Sequence, residues 1–132
     1  MITVVTSFTD AIYERNGRKF VESFRKFWPS DVKLVCYYEG DKLREDWHWI
    51  EEVHGWQDFE DAIKKFPLMC GNMNGRYEIN FDARMARKAF IQMHAAKLYG
   101  GKVIWIDCDS IFHAPVTHEF LSMVLPDDKL WC

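Results

Sequence analysis

The stretch that most limits the possible folds is Gly100-Gly101-Lys102-Val103-Ile104-Trp105-Ile106-Asp107-Cys108-Asp109. A glycine pair is followed by four apolar residues in a row, and these lead into two acids separated by one residue. A continuous apolar run bounded in this way reads as a buried strand. The residues before it, from Asn80 or Asp82 to about Tyr99, read as a helix closed by the glycines. A helix feeding a buried strand is consistent with an α/β sheet.

The opening of the chain repeats this grammar. Ile2 to Thr6 is β-branched and apolar, a buried strand, with Ser7-Phe8-Thr9-Asp10 at its carboxyl end. A helix follows, loose near Gly17 and firm from Arg18. Phe20, Val21, Phe24, Phe27 and Trp28 fall at helical spacing on one side of it, until Pro29 ends it. Asp31 to Tyr38 is a second strand, closed by Glu39-Gly40-Asp41. Strand, helix and strand with short joins form a right-handed βαβ unit with parallel strands.

The middle is less regular. Trp47 to Val53 alternates loosely as a shorter third strand. Trp56 to Phe66 is a short amphipathic helix stopped by Pro67, and Leu68 to Tyr77 is a glycine- and asparagine-rich loop. In the helix before Gly100, Ala86, Ala89, Phe90, Met93 and Ala96 supply the buried face, with Arg84 and Lys88 on another. After the acids, Thr117 caps a short helix through Val124. Pro126-Asp127-Asp128 is a turn, and Lys129 to Cys132 begins a further strand. The expected architecture is α/β, a Rossmann-like three-layer α/β/α arrangement on a mostly parallel sheet. Ending in mid-strand implies that it is incomplete.

Composition excludes several classes. With a net charge of −3 and no basic run, the 132-residue chain has no electrostatic footprint for nucleic acid. No segment approaches ~18 uninterrupted apolar residues, so no membrane span is expected. The first residues read as a strand rather than a leader, which with the cysteine usage implies a cytoplasmic protein. Cys36, Cys70, Cys108 and Cys132 are widely spaced, without a zinc-like pair, and read as reduced thiols. His48 and His54 are six apart with no partner at metal spacing.

The chemistry then concentrates at one edge. In open parallel sheets ligands bind beyond the carboxyl ends of the strands. Asp107 and Asp109 lie there, two residues apart in a turning chain, where both carboxylates can converge on one hard cation. Ser7, Thr9, Glu39 and Asp41 lie along the same edge. Acids after a strand also serve as turn and solubility residues, and that reading stays open at this point. Arg84 and Lys88 are either a solvated helix face or cations that border the cleft and meet phosphate oxygens.

With these residues in view, the pattern resembles the GT-A glycosyltransferases. KVIWIDCDSIFHAPV is similar to the family's strand, Asp-x-Asp motif and following segment. FDARMARKAFIQMHAAKLYGG is similar to the helix that leads into it. The opening through Asp41 resembles the first βαβ of bacterial and phage-type members. The resemblance implies a nucleotide-diphosphate-sugar transferase fold, of which this chain is the N-terminal, donor-binding portion. It implies a UDP- or GDP-sugar donor, an acceptor of unknown identity and a Mn²⁺ or Mg²⁺ cofactor. Asp109 would be the principal metal ligand, and Asp107 would contact metal or ribose. Thr6, Ser7 and Phe8 would border the nucleoside, and Glu39 would sit near base or ribose. Cys108, between the acids, would belong to the same site, and Arg84 and Lys88 would touch diphosphate or sugar. The family's acceptor half and later metal-ligand histidine have no counterpart here, since His113 and His118 stand too close to the motif. No residue can be named as catalytic base.

Two other readings compete. A non-catalytic nucleotide-binding or interaction protein would keep the cleft without the acceptor half. A haloacid-dehalogenase-type phosphohydrolase would use Asp107 as nucleophile and Asp109 as general acid, but that motif normally opens its fold, whereas here it comes near the end.

Overall fold

A computed structural model describes residues 1–39, 51, 53–54 and 79–127, with backbone alone for 53–54 and 79–86. The elements are β1 (Ile2–Phe8), α1 (Asp10–Ile12), a π-helical turn (Tyr13–Gly17), α2 (Arg18–Phe27), β2 (Lys33–Tyr38), β3 (Val53–His54), α3 (Ile79–Tyr99), β4 (Lys102–Trp105) and α4 (His118–Val124). The strands form one sheet in the order β3-β2-β1-β4, and every pairing is parallel. In register, Thr6 lies beside Cys36, Val5 beside Trp105, and Cys36 beside Val53.

Strand alternation sorts the side chains into two cores, because successive residues point to opposite faces. Val4 and Phe8 of β1 join Leu34, Cys36 and Tyr38 of β2 against Phe20, Val21 and Phe24 of α2. On the other face Val5, Val35 and Tyr37 meet Ile91 and Ala95 of α3. In β4 and just after it, Ile104 and Ile106 go to the first core, while Val103 and Trp105 go to the second. The described residues thus form an α/β arrangement with a parallel sheet between helices.

Local sequence accounts for the element ends. The Thr9 side chain accepts a hydrogen bond from the Ile12 amide and opens the first helix directly after β1. This helix continues through the π turn ending at Gly17, a position where a Cβ would come within 3.1 Å of the Tyr13 ring. Trp28 turns extended at φ −94° and ψ 152°, as expected of the residue before Pro29, whose ring excludes the helical region for its predecessor. Thr117 caps α4 as expected, accepting from the Phe120 amide at 3.1 Å. Gly100 and Gly101 both take positive φ, 64° and 70°, which glycine adopts without the Cβ penalty. A Cβ on Gly101 would fall 2.3 Å from the Met1 carbonyl oxygen. That carbonyl accepts the Lys102 amide at 3.0 Å, so the glycine lets the chain start β4 tight against β1.

Three expectations need correction or trimming. Helix α3 already includes Ile79, so Asn80 and Asp82 lie inside its first turn and neither is its cap. Its buried face is also not the expected one. Ile91 and Ala95 are buried, whereas Met93 is 70% exposed, Phe90 is 37% exposed, and Ala89 and Ala96 face solvent. The C-terminal half of the helix is apolar nearly all round, so spacing alone does not choose a face. Small Ala95 allows a close approach, and the Tyr37 hydroxyl bonds His94 Nδ1 at 2.8 Å. Of the third strand, only Val53–His54 is described. Trp47 to Ile50, Glu52, the Trp56–Phe66 helix, the Leu68–Tyr77 loop, Asp41 and the final Lys129–Cys132 segment lie outside the described residues, as does the Ala86 side chain.

Candidate functional site

A cleft of about 790 Å³ opens at the carboxyl edge of the sheet, a volume suited to a small-molecule ligand. Five pieces of chain build its described wall. Ser7 and Thr9 come from the end of β1, with Ile12 and Asn16 from the helix beyond it. Glu39 follows β2, and Arg87 and Lys88 project from α3. Trp105, Asp107, Cys108 and Asp109 come from the end of β4.

The segment carrying the aspartates is held at both ends. The Ile106 amide bonds the Val5 carbonyl at 3.1 Å, and the Ser110 amide bonds the Asp107 carbonyl at 3.0 Å, closing a turn over the motif. Beyond it, the Phe112 ring packs among Phe20, Phe24 and Trp28, with its centroid 5.4 Å from that of Trp28. The Phe112 amide donates to Ser23 Oγ at 3.2 Å, and the Val116 amide donates to the Phe27 carbonyl at 2.8 Å. The motif is thus pinned between β1 and α2, and this fixes where its carboxylates emerge.

Two charge pairs line the cleft. Glu39 accepts from Ser7 Oγ at 2.5 Å on one oxygen and from Arg87 Nη1 on the other, so both oxygens are engaged. Asp107 accepts from Lys88 Nζ at 2.7 Å and from Trp105 Nε1 at 2.8 Å, and both bonds fall on Oδ1. Lys88 Nζ also lies 5.5 Å from the centroid of the Trp105 ring, on its face. No hydrogen bond or ion pair to a described residue engages the Asp109 carboxylate. Among the described lining residues, three carboxylates face two cations, leaving one negative charge in excess.

The titration behaviour follows from these contacts. Partial burial raises the Asp107 pKa, but the hydrogen bonds from Lys88 and Trp105, with the Lys88 charge, outweigh it and hold the carboxyl below its usual range. Burial and the neighbouring Asp109 charge push the Cys108 thiol up to about 11. Cys36, fully buried, is raised further, by burial first and then by Cys108. Neither thiol is poised as a nucleophile.

The cleft brings together Ser7, Thr9, Glu39, Lys88, Asp107, Cys108 and Asp109 of the residues named from sequence. Thr6 and Phe8 do not line it. Both are fully buried, Phe8 in the α2-side core, because alternation along β1 turns only Ser7 of these three toward α3. Arg84 lies one turn before Lys88 on α3, with its side chain outside the described portion. His118 bonds Asp31 at 3.0 Å instead of joining the cleft. Sequence reasoning missed Arg87, Trp105 and Asn16. Arg87 had a signal, since positions 84, 87 and 88 form one helical stripe that continues into buried Ile91 and Ala95. Trp105 had one as well, as the last strand residue whose parity points at α3.

A divalent cation fits the donor set. Asp107 Oδ2 and the Asp109 carboxylate are hard oxygens at one cleft, the donor type such a cation takes. Among the described residues no group of three or more His, Cys, Asp or Glu is arranged to hold a metal. No helix among the described residues is long and apolar enough to cross a membrane. Compared with models of known protein families and with curated protein sequences, the chain matches none.

Proposed function

We propose that the chain is a metal-dependent glycosyltransferase of the GT-A type, or the donor-binding part of one, and that the cleft takes the nucleotide diphosphate of a UDP- or GDP-sugar. The observation that carries this reading is the convergence of Asp107 and Asp109 with Lys88, Arg87, Ser7 and Glu39 on one cleft beyond the carboxyl ends of parallel strands. A diphosphate carries several negative charges, so a site for it needs cations, and two are built into the wall from α3.

In this reading each side chain has a separate task. Asp109, uncommitted and exposed, holds the Mn²⁺ or Mg²⁺ ion together with Asp107 Oδ2. Lys88 and Arg87 meet phosphate oxygens, and Glu39 holds Arg87 Nη1 through its second carboxylate oxygen. Ser7 holds Glu39 in turn. The indole of Trp105 walls the cleft beside the metal ligands and keeps Asp107 in one rotamer. A divalent ion bound there supplies neutralisation of charge on the departing diphosphate.

The test is calorimetric titration with UDP and with GDP, in Mn²⁺ and in excess chelator, followed by assay of nucleotide release from the corresponding sugars. Binding that requires the metal supports a donor site, and release of free nucleotide supports transfer or hydrolysis of the donor. Metal-dependent binding without release assigns the chain to donor binding alone. Absence of metal-dependent binding, or cleavage of a simple phosphate ester instead, overturns the proposal.

A further inference from the structure

The pairing of Lys88 with Asp107 has a consequence for how such a site loads. Lys88 Nζ lies 2.7 Å from Asp107 Oδ1, and the same oxygen takes the Trp105 indole hydrogen at 2.8 Å. The ammonium lies over the Trp105 ring, and its side chain is 34% exposed against 54% for Asp107. A carboxylate assigned to a metal thus already has a cation in contact, supplied by the neighbouring helix. We propose that Lys88 is a built-in stand-in for the metal, and that it makes the cation and the diphosphate bind as a coupled pair. The inference rests on the donor-site reading above.

The physical argument concerns partners. A cation approaching Asp107 alone meets the positive charge of Lys88 at contact range. It must either share the carboxylate against that repulsion or displace the ammonium, leaving Lys88 without an anion. A diphosphate approaching alone finds Lys88 occupied by Asp107, and meets two further carboxylates, Glu39 and Asp109, on the same wall. When the two arrive together, the metal replaces Lys88 on Asp107 and the phosphate replaces Asp107 on Lys88. Every charge then keeps an opposite partner, whereas either ligand alone leaves one unpaired. Such an exchange is a positive coupling free energy between two ligands, and it is reciprocal by linkage. The long aliphatic stem of lysine allows the movement, and the Trp105 face offers the ammonium a favourable surface along the way.

The experiment measures Mn²⁺ binding alone, by paramagnetic resonance of the free ion, and UDP binding with and without Mn²⁺, by calorimetry. It compares the wild-type chain with Lys88→Met and Lys88→Arg, with thermal unfolding as a check on the fold. Removing the stand-in is expected to tighten binding of Mn²⁺ alone by about two- to fivefold, the scale of a partly exposed ion pair. It is also expected to weaken UDP binding in Mn²⁺ and to shrink the factor by which each ligand improves the other. Lys88→Arg keeps most of the coupling. The inference is overturned if Lys88→Met leaves Mn²⁺ binding unchanged, weakens it, or leaves it undetectable into the millimolar range, while wild-type protein still binds UDP in a Mn²⁺-dependent way. If the wild-type chain shows no metal-dependent UDP binding, the donor-site reading itself fails. The two failures are therefore distinguishable.

Discussion

Glu39 and Asp107 are both acids at strand ends, yet their surroundings give them different work. Glu39 is 12% exposed at its side chain and spends both oxygens on protein partners, so it acts by fixing Arg87. Replacing Arg87 by Leu leaves that carboxylate with Ser7 alone. Chemical denaturation should show a loss of about 1–3 kcal/mol, the range for stranding a largely buried charged group. Adding Glu39→Leu should return part of it, and equal stability of the Arg87→Leu and double variants would show that the stranded carboxylate carries no penalty. Cys108 lines the cleft, but its thiol is pushed up to about 11 from an ordinary 9.0, by burial and then by Asp109. At neutral pH the thiolate fraction falls by about a hundredfold, so alkylation of Cys108 in chelator should be at least that much slower in the folded chain than in denaturant. Its rate should climb as pH rises from 9 toward 11. Rapid labelling at pH 7 would contradict this environment.

At the scale of elements, the sequence carried some boundaries more clearly than others. The Thr117 cap, the Pro29 stop and the glycine pair were legible because each acts through its own backbone chemistry. The buried face of α3 was not, because Phe90, Met93 and Leu98 compete with Ile91 and Ala95 for the sheet, and the choice rests on partners in β2. Arg87 was missed for the same reason, since its importance depends on which stripe turns inward. The two glycines offer a test of the α3–β4 joint. Gly101→Ala places a Cβ against the Met1 carbonyl and strains a positive φ, so it should cost about 2–3 kcal/mol or prevent folding. Gly100→Ala meets no atom within 4 Å and should cost only about 1 kcal/mol for its φ. Similar losses for the two variants, read from denaturation midpoints, would show that β4 does not start tight against β1.

For the whole molecule, parallel order is what converts scattered polar residues into a site. Because β1, β2 and β4 run the same way, their carboxyl ends share an edge, and Ser7, Glu39 and Asp107 meet although they stand far apart along the chain. That much follows from reading two helix-linked apolar strands in the sequence. The inward or outward sense of each tip does not. Thr6 and Phe8 were expected at the cleft, and strand alternation buries them instead. The described fold is α/β with a parallel sheet between helices, and the proposed transferase reading rests on what Asp109 does within it. The most direct measurement is the Mn²⁺-dependent affinity for UDP or GDP of Asp109→Ala beside the wild-type chain, with unfolding curves matched. The account predicts that this affinity falls at least about tenfold while the fold persists, as expected on losing a metal ligand. Unchanged metal-dependent affinity in the variant would contradict it.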